Sequence, residues 1–543
     1  MKLCFIWVRS YKGFSDFSLN LSDDFHFQFD YPSNTLTKKK NENFIPNLFD
    51  PSISCVTAIV GKNSAGKSNC LELICTILQG SIHQFDTEFI SVMEHDNKFY
   101  ISHTLPTNLK TDFSYLINEE KGKAKGFNTI FFSNVHDERF YEFSNDVVTA
   151  TANNGYGYRY FSNIRWKKRS SLFSIQVDLI TKHRRGLQDE IKIQIPQYIM
   201  VEFAPIRPHR RYIKNSEDFI RAFKKRLSDM ISQESKFICM MKYSFLLRII
   251  DVYVNFRLDE LSLSLDFMEK EPTDAFLNRS IDSMIQRLCN IAVERNGDPD
   301  FPTDFNEQLK ADYGDLQQIA ECIDNISPSL INSHFGSSSL CFKIKFNHDN
   351  HHIVKKLCHA FGSERIMRMS WIGISSGAKA YLTLLAVLND KLKGTRNDTL
   401  ICIDEGDLYL HPAWQIDFLH NLNKMLPKFF NAKLQLVLTS HSPFLLTDLP
   451  RDNVIILEDK HVVNKFEFPV RTFGSNLYEL YNNAFFLEGK RFGSFAEAHI
   501  KNITNKIKDS ELQGAELDSV EKFIDMIGDK LLRNVLKGLL KND

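Results

Sequence analysis

Two segments far apart in the chain carry residues that together can act on a nucleoside triphosphate. Gly61-Lys62-Asn63-Ser64-Ala65-Gly66-Lys67-Ser68 has the spacing G-x-x-x-x-G-K-S and lies between the apolar run Val56–Val60 and Leu71-Glu72-Leu73-Ile74. Glycines at these places let successive backbone N–H groups converge on phosphate oxygens, and a loop that opens a helix turns its positive dipole end toward the same charge. In such a loop Lys67 reaches the β- and γ-phosphates and the Ser68 hydroxyl is a magnesium ligand. Gly61 to Ser68, with the adjoining Asn69, are therefore the expected nucleotide-binding residues. The second segment, Thr399-Leu400-Ile401-Cys402-Ile403, is an apolar strand ending in Asp404 and Glu405. Burying charge without a partner is costly, so two carboxylates there call for a task. Asp404 is the expected magnesium ligand, directly or through water. Glu405 is the expected base that orients or deprotonates the attacking water, a role worth on the order of 100- to 10,000-fold in rate. The wide separation of the two segments excludes a compact kinase or GTPase and implies a large insertion.

Two further segments bear on the same chemistry. Ile374-Ser375-Ser376-Gly377 precedes an apolar helix from Tyr381 to Leu388, and a Ser-Ser-Gly turn at a helix start is a second anion site. Leu436-Val437-Leu438-Thr439-Ser440-His441 is another apolar strand, and its terminal histidine, His441, is placed to reach a γ-phosphate.

The elements that must position these residues are readable in outline. Alternation at Leu3–Val8, Phe17–Leu21 and Phe25–Phe29 predicts three strands, and Ser33 to Glu42, with Lys38-Lys39-Lys40, predicts a solvated loop. Strands are also expected at Thr129–Phe132 and Ile191–Ile195, with loops around Asn153 to Tyr160. Pro205 and Pro208 mark a change to helical patterning. Phe219, Phe223, Leu227, Met230 and Ile231 recur at helical spacing, Ser216 with Glu217 and Asp218 makes a helix start, and further helices are expected over Lys242–Phe256 and Ile281–Val293. Leu340–Phe346 reads as a strand, His351–Phe361 as a helix, and the charged tail after Glu488 as helical.

Composition bounds the class without deciding it. The 543 residues are enough for two or three compact units; 43% are hydrophobic, 25% are charged, and the net charge is zero. Bulk electrostatics therefore give no reason to expect a nucleic-acid binder. The ten cysteines include no CxxC pair and several sit in apolar runs, which predicts reduced, buried thiols. No run is long enough to span a bilayer and Leu3–Val8 is too short for a signal peptide, so a soluble cytoplasmic protein without a membrane partner is expected.

Taken together, the glycine-rich loop, Ser375-Ser376-Gly377, the Asp404-Glu405 strand, Gly406-Asp407-Leu408-Tyr409-Leu410-His411-Pro412 and the strand-end His441 resemble the ATP-binding-cassette (ABC) heads of the RecF/SMC/OLD-like branch. The resemblance implies an α/β fold: an ABC-ATPase head, a mixed sheet plus P-loop core, split by a helical insertion and followed by a helical C-terminal tail. The boundaries are 1–205 for the first lobe, 206–335 for the insertion, 336–487 for the second lobe and 488–543 for the tail. It further implies ATP and magnesium as ligands, and a head-to-head homodimer in which Ser375, Ser376 and Gly377 contact the γ-phosphate on the partner's loop. Asn134, beside Ser133 at the end of the Thr129–Phe132 strand, is the best match for the polar group that senses nucleotide. Two departures from the family pattern, Lys379 in place of Glu or Gln and Gly406 in place of Pro, point to slow hydrolysis.

A closer likeness lies in Ile130-Phe131-Phe132-Ser133-Asn134-Val135, Thr472–Leu480, Ala484–Leu487 and Gly493–Ala496, which are similar to PtuA-like antiphage defence ATPases of Septu and retron systems. That resemblance implies control of a separate HNH nuclease, PtuB-like, with a retron reverse transcriptase and its RNA–DNA molecule as a further implied partner. The alternative is a RecF/SMC-like DNA-repair clamp that binds DNA without a nuclease partner. A third reading is an ATPase that is itself a toxin. A fused Toprim nuclease starting at Glu488 is not expected, because no D-x-D follows it. His348, His351 and His352 read as an exposed turn. The basic clusters Arg165–Arg169, Lys182–Arg185, Arg207–Arg211 and Lys224–Arg226, with Tyr160, Phe161 and Trp166, are the candidate nucleic-acid contacts.

Overall fold

The computed structural model describes residues 1–78, 87–118, 126–135, 147–151, 172–203, 213–214, 216–255, 261–262, 281–283, 285–286, 290, 305–323, 326, 328–331, 340–361, 367–463, 471–484, 492–509 and 512–541. The chain divides into two compact units, Met1–Ser475 and Asn476–Asp543.

The frame of the first unit is a seven-stranded sheet in the order Val147–Thr151, Phe127–Ser133, Asp398–Asp404, Leu434–Thr439, Ile53–Gly61, Val454–Glu458, His461–Val462. All neighbours are parallel except the last pair. Largely apolar runs form the three central strands because a parallel sheet is covered on both faces, and Ile59, Val60, Ile401, Cys402, Leu436 and Val437 are buried. The register pairs Thr439 with Asp404 on one side and with Ile59 on the other. The glycine-rich loop and the acidic pair, distant in sequence, thus leave the sheet from the same C-terminal edge, where open α/β sheets bind their ligands.

The expected strands near the start are present as Lys2–Tyr11, Phe14–Asn20 and Phe25–Asp30. The first two lie in an antiparallel arrangement with Phe89–His95 and Lys98–His103. The helix Lys67–Leu78 is sandwiched between this sheet and the parallel one: Leu71, Leu73 and Ile74 share a core with Ile6, Phe17, Leu19, Phe131, Cys402 and Val437. Burial of its apolar residues on both sides fixes the loop that precedes it.

Two local expectations are corrected. Thr35–Lys40 is a strand, not a loop, and pairs antiparallel with Phe25–Asp30. Leu36 is buried there, and the Lys38 ammonium lies over the rings of Phe25, Phe99 and Phe113 at 4.6, 4.1 and 5.2 Å. A run of lysines can thus lie along a sheet when one of them caps aromatic faces. Ile191–Ile195 is not a strand. The three isoleucines are buried in alternation, but Lys192 has φ +60° and the Ile193 N–H donates to Leu187 O across the preceding π-turn, so the segment finds no ladder.

Helices Ser216–Asp229, Gln233–Asn255 and Phe305–Glu321 occupy the central region. The expected Ile281–Val293 helix falls largely outside the described residues, as do the Asn153–Tyr160 loops, Pro205, Pro208 and the Arg165–Arg169 and Arg207–Arg211 clusters. Tyr198–Phe203 joins Cys341–Lys345 and Met367–Ile372 in one antiparallel sheet, to which Ser329–Ile331 adds a fourth strand. Chain on both sides of the central region therefore shares a sheet, closed by the rings of Phe203, Phe237 and Phe342. Met367–Ile372 leads into the Ser375 turn. The helix that follows packs beside Leu172–Arg185, held by Gln176 Nε2 to Thr383 Oγ1 and Trp371 Nε1 to Gln176 Oε1, both 2.9 Å.

The second unit contains the helices Leu477–Ala484, Ser494–Asp509, Ala515–Met526 and Lys530–Lys541, with Ile507, Val520, Ile524, Ile527 and Leu536 as its small core.

Candidate functional site

The glycine-rich loop turns at once on leaving its strand. Gly61, Ser64 and Gly66 have positive φ, at +152°, +65° and +99°. A Cβ on Gly66 would lie 2.6 Å from the Phe14 ring, so only glycine allows that ring to press on the loop. Lys62, Asn63 and Ser64 are exposed, Asn69 is half-buried in the first helical turn, and Ala65 and Lys67 are buried. The Lys67 ammonium donates to Gly61 O at 3.0 Å and to Lys62 O at 3.1 Å. Burial brings its pKa down to about 8, although Glu405 and Asp404 pull the other way.

Asp404 is reached from three elements. Ser68 Oγ donates to both of its oxygens, each at 3.0 Å; Thr439 Oγ1 donates to Oδ1 at 2.6 Å; Ser133 Oγ donates to Oδ2 at 3.4 Å. Burial raises the carboxyl's pKa, the Thr439, Ser68 and Ser133 hydroxyls lower it, and the Glu405 charge raises it. A buried carboxylate beside the loop hydroxyl forms an all-oxygen set, the kind of donor magnesium takes. Ser68 and Asp404 therefore fit a magnesium ion.

Glu405 has left-handed backbone, φ +50°, and its N–H donates to Thr439 Oγ1 at 3.0 Å. Its Oε1 lies 3.0 Å from His441 Nε2. The turn continues to Asp407, whose carboxyl accepts from Ser440 Oγ at 2.7 Å and is pushed up to about 6 by burial. Gln415 Nε2 donates to Asp407 O and Ser442 Oγ donates to Gln415 Oε1, which ties the Pro412–Ile416 helix to the strand tip bearing His441. Gly406 has a packing reason: a Cβ there would lie 2.6 Å from Ile403 Cγ2 and 2.8 Å from Phe418 Cζ.

The structure thus brings Lys67, Ser68, Asp404, Glu405 and His441 to one edge. Asn134 is also there, but 2% exposed, with its amide on Gly406 O rather than turned outward. Ser375, Ser376 and Gly377 form a separate turn. Ser375 caps the helix by accepting from Ala378 N at 3.2 Å, and Ser375, Ser376 and Lys379 are exposed. Gly377 lies against the Asp407–Pro412 loop, where a Cβ would come 2.7 Å from Tyr409 O. Next to it Leu408 and Tyr409 are 42% and 46% exposed. His348 and Asp349 are exposed, and among the described residues no group of three or more His, Cys, Asp or Glu side chains is placed to hold a metal.

The sequence carried no signal for a part played by Ser440 or Gln415, and Asp407 was singled out only within the Gly406–Pro412 segment. The signal for Thr439 was its place, two residues before His441 at the tip of a core strand. Its alignment with Asp404 depends on sheet register.

A parallel sheet with a glycine-rich phosphate loop and an acid-ended strand on one edge defines the P-loop nucleotide-binding class. Within that class the chain belongs to the family described as "AAA domain, putative AbiEii toxin, Type IV TA system", which it matches over residues 56–447. A stretch of 117 residues is 30% identical to the Retron Vc95 probable ATPase of Vibrio cholerae serotype O1 biovar El Tor, covering 20% of this chain and 22% of that protein. Among the described residues no helix is long and apolar enough to cross a membrane.

Proposed function

We propose that this chain is an ABC-type ATPase that binds and slowly hydrolyses magnesium-ATP, closes against a second copy, and controls a partner HNH nuclease in antiphage defence of the retron or Septu kind. The observation that carries the reading is the bond from Ser68 Oγ to both oxygens of Asp404, with Glu405 and His441 adjoining. Lys67 and the loop N–H groups bind the phosphates. Magnesium, held by Ser68 and Asp404, would neutralise charge on the phosphate oxygens. Glu405 accepts the proton of the attacking water, and His441 orients its carboxylate. The exposed Ser375-Ser376 turn and the neighbouring Leu408 and Tyr409 supply a surface for the sister copy. Because Gly377 is packed on that same loop, closure there reaches Asp407 and the His441 strand. Slow turnover is inferred from Lys379 and Gly406, which stand where the family that the chain resembles has Glu or Gln and Pro. The link to defence rests on the retron ATPase as a relative, and the nuclease partner on the likeness of the segments around Ser133 and Thr472 to PtuA-like proteins.

The test is ATP binding and hydrolysis by the purified chain. Lys67→Ala should abolish nucleotide binding, and Glu405→Gln should bind ATP but turn it over at least 100-fold more slowly. Unchanged hydrolysis in Glu405→Gln would remove that residue from its role. Co-purification with the products of neighbouring genes tests the nuclease partner. The family description names a toxin, which favours a second reading in which this chain is itself the toxic component. Growth arrest on expressing the chain alone supports that reading, and arrest only with a partner supports the first.

A further inference from the structure

The turn that carries Glu405 is held from the neighbouring strand by a buried polar residue. Glu405 sits in left-handed backbone, which side chains other than glycine occupy at a cost. Such a conformation persists only where its surroundings over-determine it. Thr439 holds the N–H of Glu405 on one side. On the other side is Asn134, one residue beyond the strand Phe127–Ser133, where Ser133 pairs with Asp404. Its backbone N–H donates to Asp404 O at 3.2 Å, and its side-chain Nδ2 donates to Gly406 O at 3.0 Å. One residue therefore grips the carbonyls immediately before and after Glu405. Gly406 is the residue whose lack of a side chain lets Ile403 and Phe418 close beneath the turn, so no Cβ there assists in fixing it. Asn134 is 2% exposed, and its side-chain N–H is engaged by Gly406 O.

Resting on the hydrolytic reading above, we propose that Asn134 is a positioning residue: it fixes the 404–406 turn so that the Glu405 carboxylate stays on His441 and faces the attacking water. It acts through Glu405 and makes no contact with ATP. A misplacement of about 1 Å can cost roughly 100-fold in rate, so a variant without the amide donor should lose kcat by about that factor.

The experiment compares the full chain with Asn134→Leu, which keeps the γ-branched shape and loses the donor, in steady-state ATP hydrolysis and equilibrium ATP binding. The expected result is kcat down about 100-fold with ATP affinity within about twofold of the parent. In a Glu405→Gln background Asn134→Leu should then have no further effect on the residual rate. Asn134→Ser, smaller and too short to reach Gly406 O, provides the same comparison if Asn134→Leu fails to fold. A loss of ATP affinity that accounts for the loss of rate would make Asn134 a nucleotide contact and overturn the assignment, as would full additivity with Glu405→Gln. An active parent with unchanged kcat in Asn134→Leu or Asn134→Ser overturns this assignment alone. A parent without ATPase activity overturns the hydrolytic reading and this one with it.

Discussion

Thr439→Val is the sharpest probe of how the carboxylate strand is held. The substitution keeps the β-branched shape and the strand preference, so it removes a hydroxyl and little else. That hydroxyl, on a side chain only 2% exposed, donates to Asp404 Oδ1 at 2.6 Å and accepts the Glu405 N–H at 3.0 Å. A hydrogen bond to a charged group contributes about 1.5–3 kcal/mol, and a buried N–H left unpaired costs about 1–3 kcal/mol. The two share one oxygen, so the sum is not fully additive, and the expected loss is about 3 kcal/mol. Ser133→Ala is the internal comparison: its bond to Asp404 is 3.4 Å long, at the limit of hydrogen-bonding reach, and the partly buried Val135 N–H that it also accepts at 3.1 Å is the main loss, so it should cost about 1 kcal/mol. The assay is urea unfolding without nucleotide, followed by a signal from the first unit, so the outcome does not depend on any activity. A Thr439→Val chain as stable as Ser133→Ala would mean that this one hydroxyl does not organise the turn.

Three further outcomes are expected. Lys67 titrates at about 8 in the free chain and stays protonated against phosphate, so ATP affinity should fall about tenfold between pH 7 and pH 9 as the free ammonium loses its proton. Fluorescent-nucleotide titration checks this, and Lys67→Arg should abolish the dependence. Asp407, raised to about 6 by burial, binds its proton more tightly folded than unfolded; its contribution therefore favours folding below about pH 4 and declines by about 3 kcal/mol as pH rises through 6. The stability difference between the parent and Asp407→Asn, measured from pH 4 to 7, should shift by that amount in favour of Asp407→Asn. Gly406→Ala should destabilise the first unit by about 1–3 kcal/mol, because its Cβ meets Ile403 and Phe418; a thermal melt unchanged from the parent would count against that packing.

The central sheet was legible because its central strands are largely apolar runs whose ends carry polar chemistry: Val60 before Gly61, Ile403 before Asp404, Leu438 before Thr439. Runs of that kind announce themselves locally. What stayed hidden depends on neighbours. Thr35–Lys40 reads as a solvated run until Phe25, Phe99 and Phe113 lie beneath Lys38. Ile191–Ile195 has the alternation of a strand, but alternation records burial and not pairing. In the site, Lys67, Ser68, Asp404 and Glu405 could be singled out from type and spacing. Thr439 and Ser133 acquire their contacts only through the register that sets them opposite Asp404. Asn134 was readable as a polar group near the phosphates, whereas the direction of its amide was not. The reason for glycine at 406 likewise lies in Phe418, on another element.

On the proposed reading, the loop with Lys67 and the pair Asp404-Glu405 form one triphosphate site closed by the Ser375-Ser376-Gly377 turn of a sister copy. Sedimentation velocity of the Glu405→Gln chain, with and without magnesium-ATP, tests it most directly. The expected result is a monomer that becomes a dimer or larger assembly on adding nucleotide, with Lys67→Ala or Ser376→Arg introduced into the same chain preventing the change. A chain whose assembly is the same with and without ATP, or whose ATP-driven assembly survives Ser376→Arg, would contradict it.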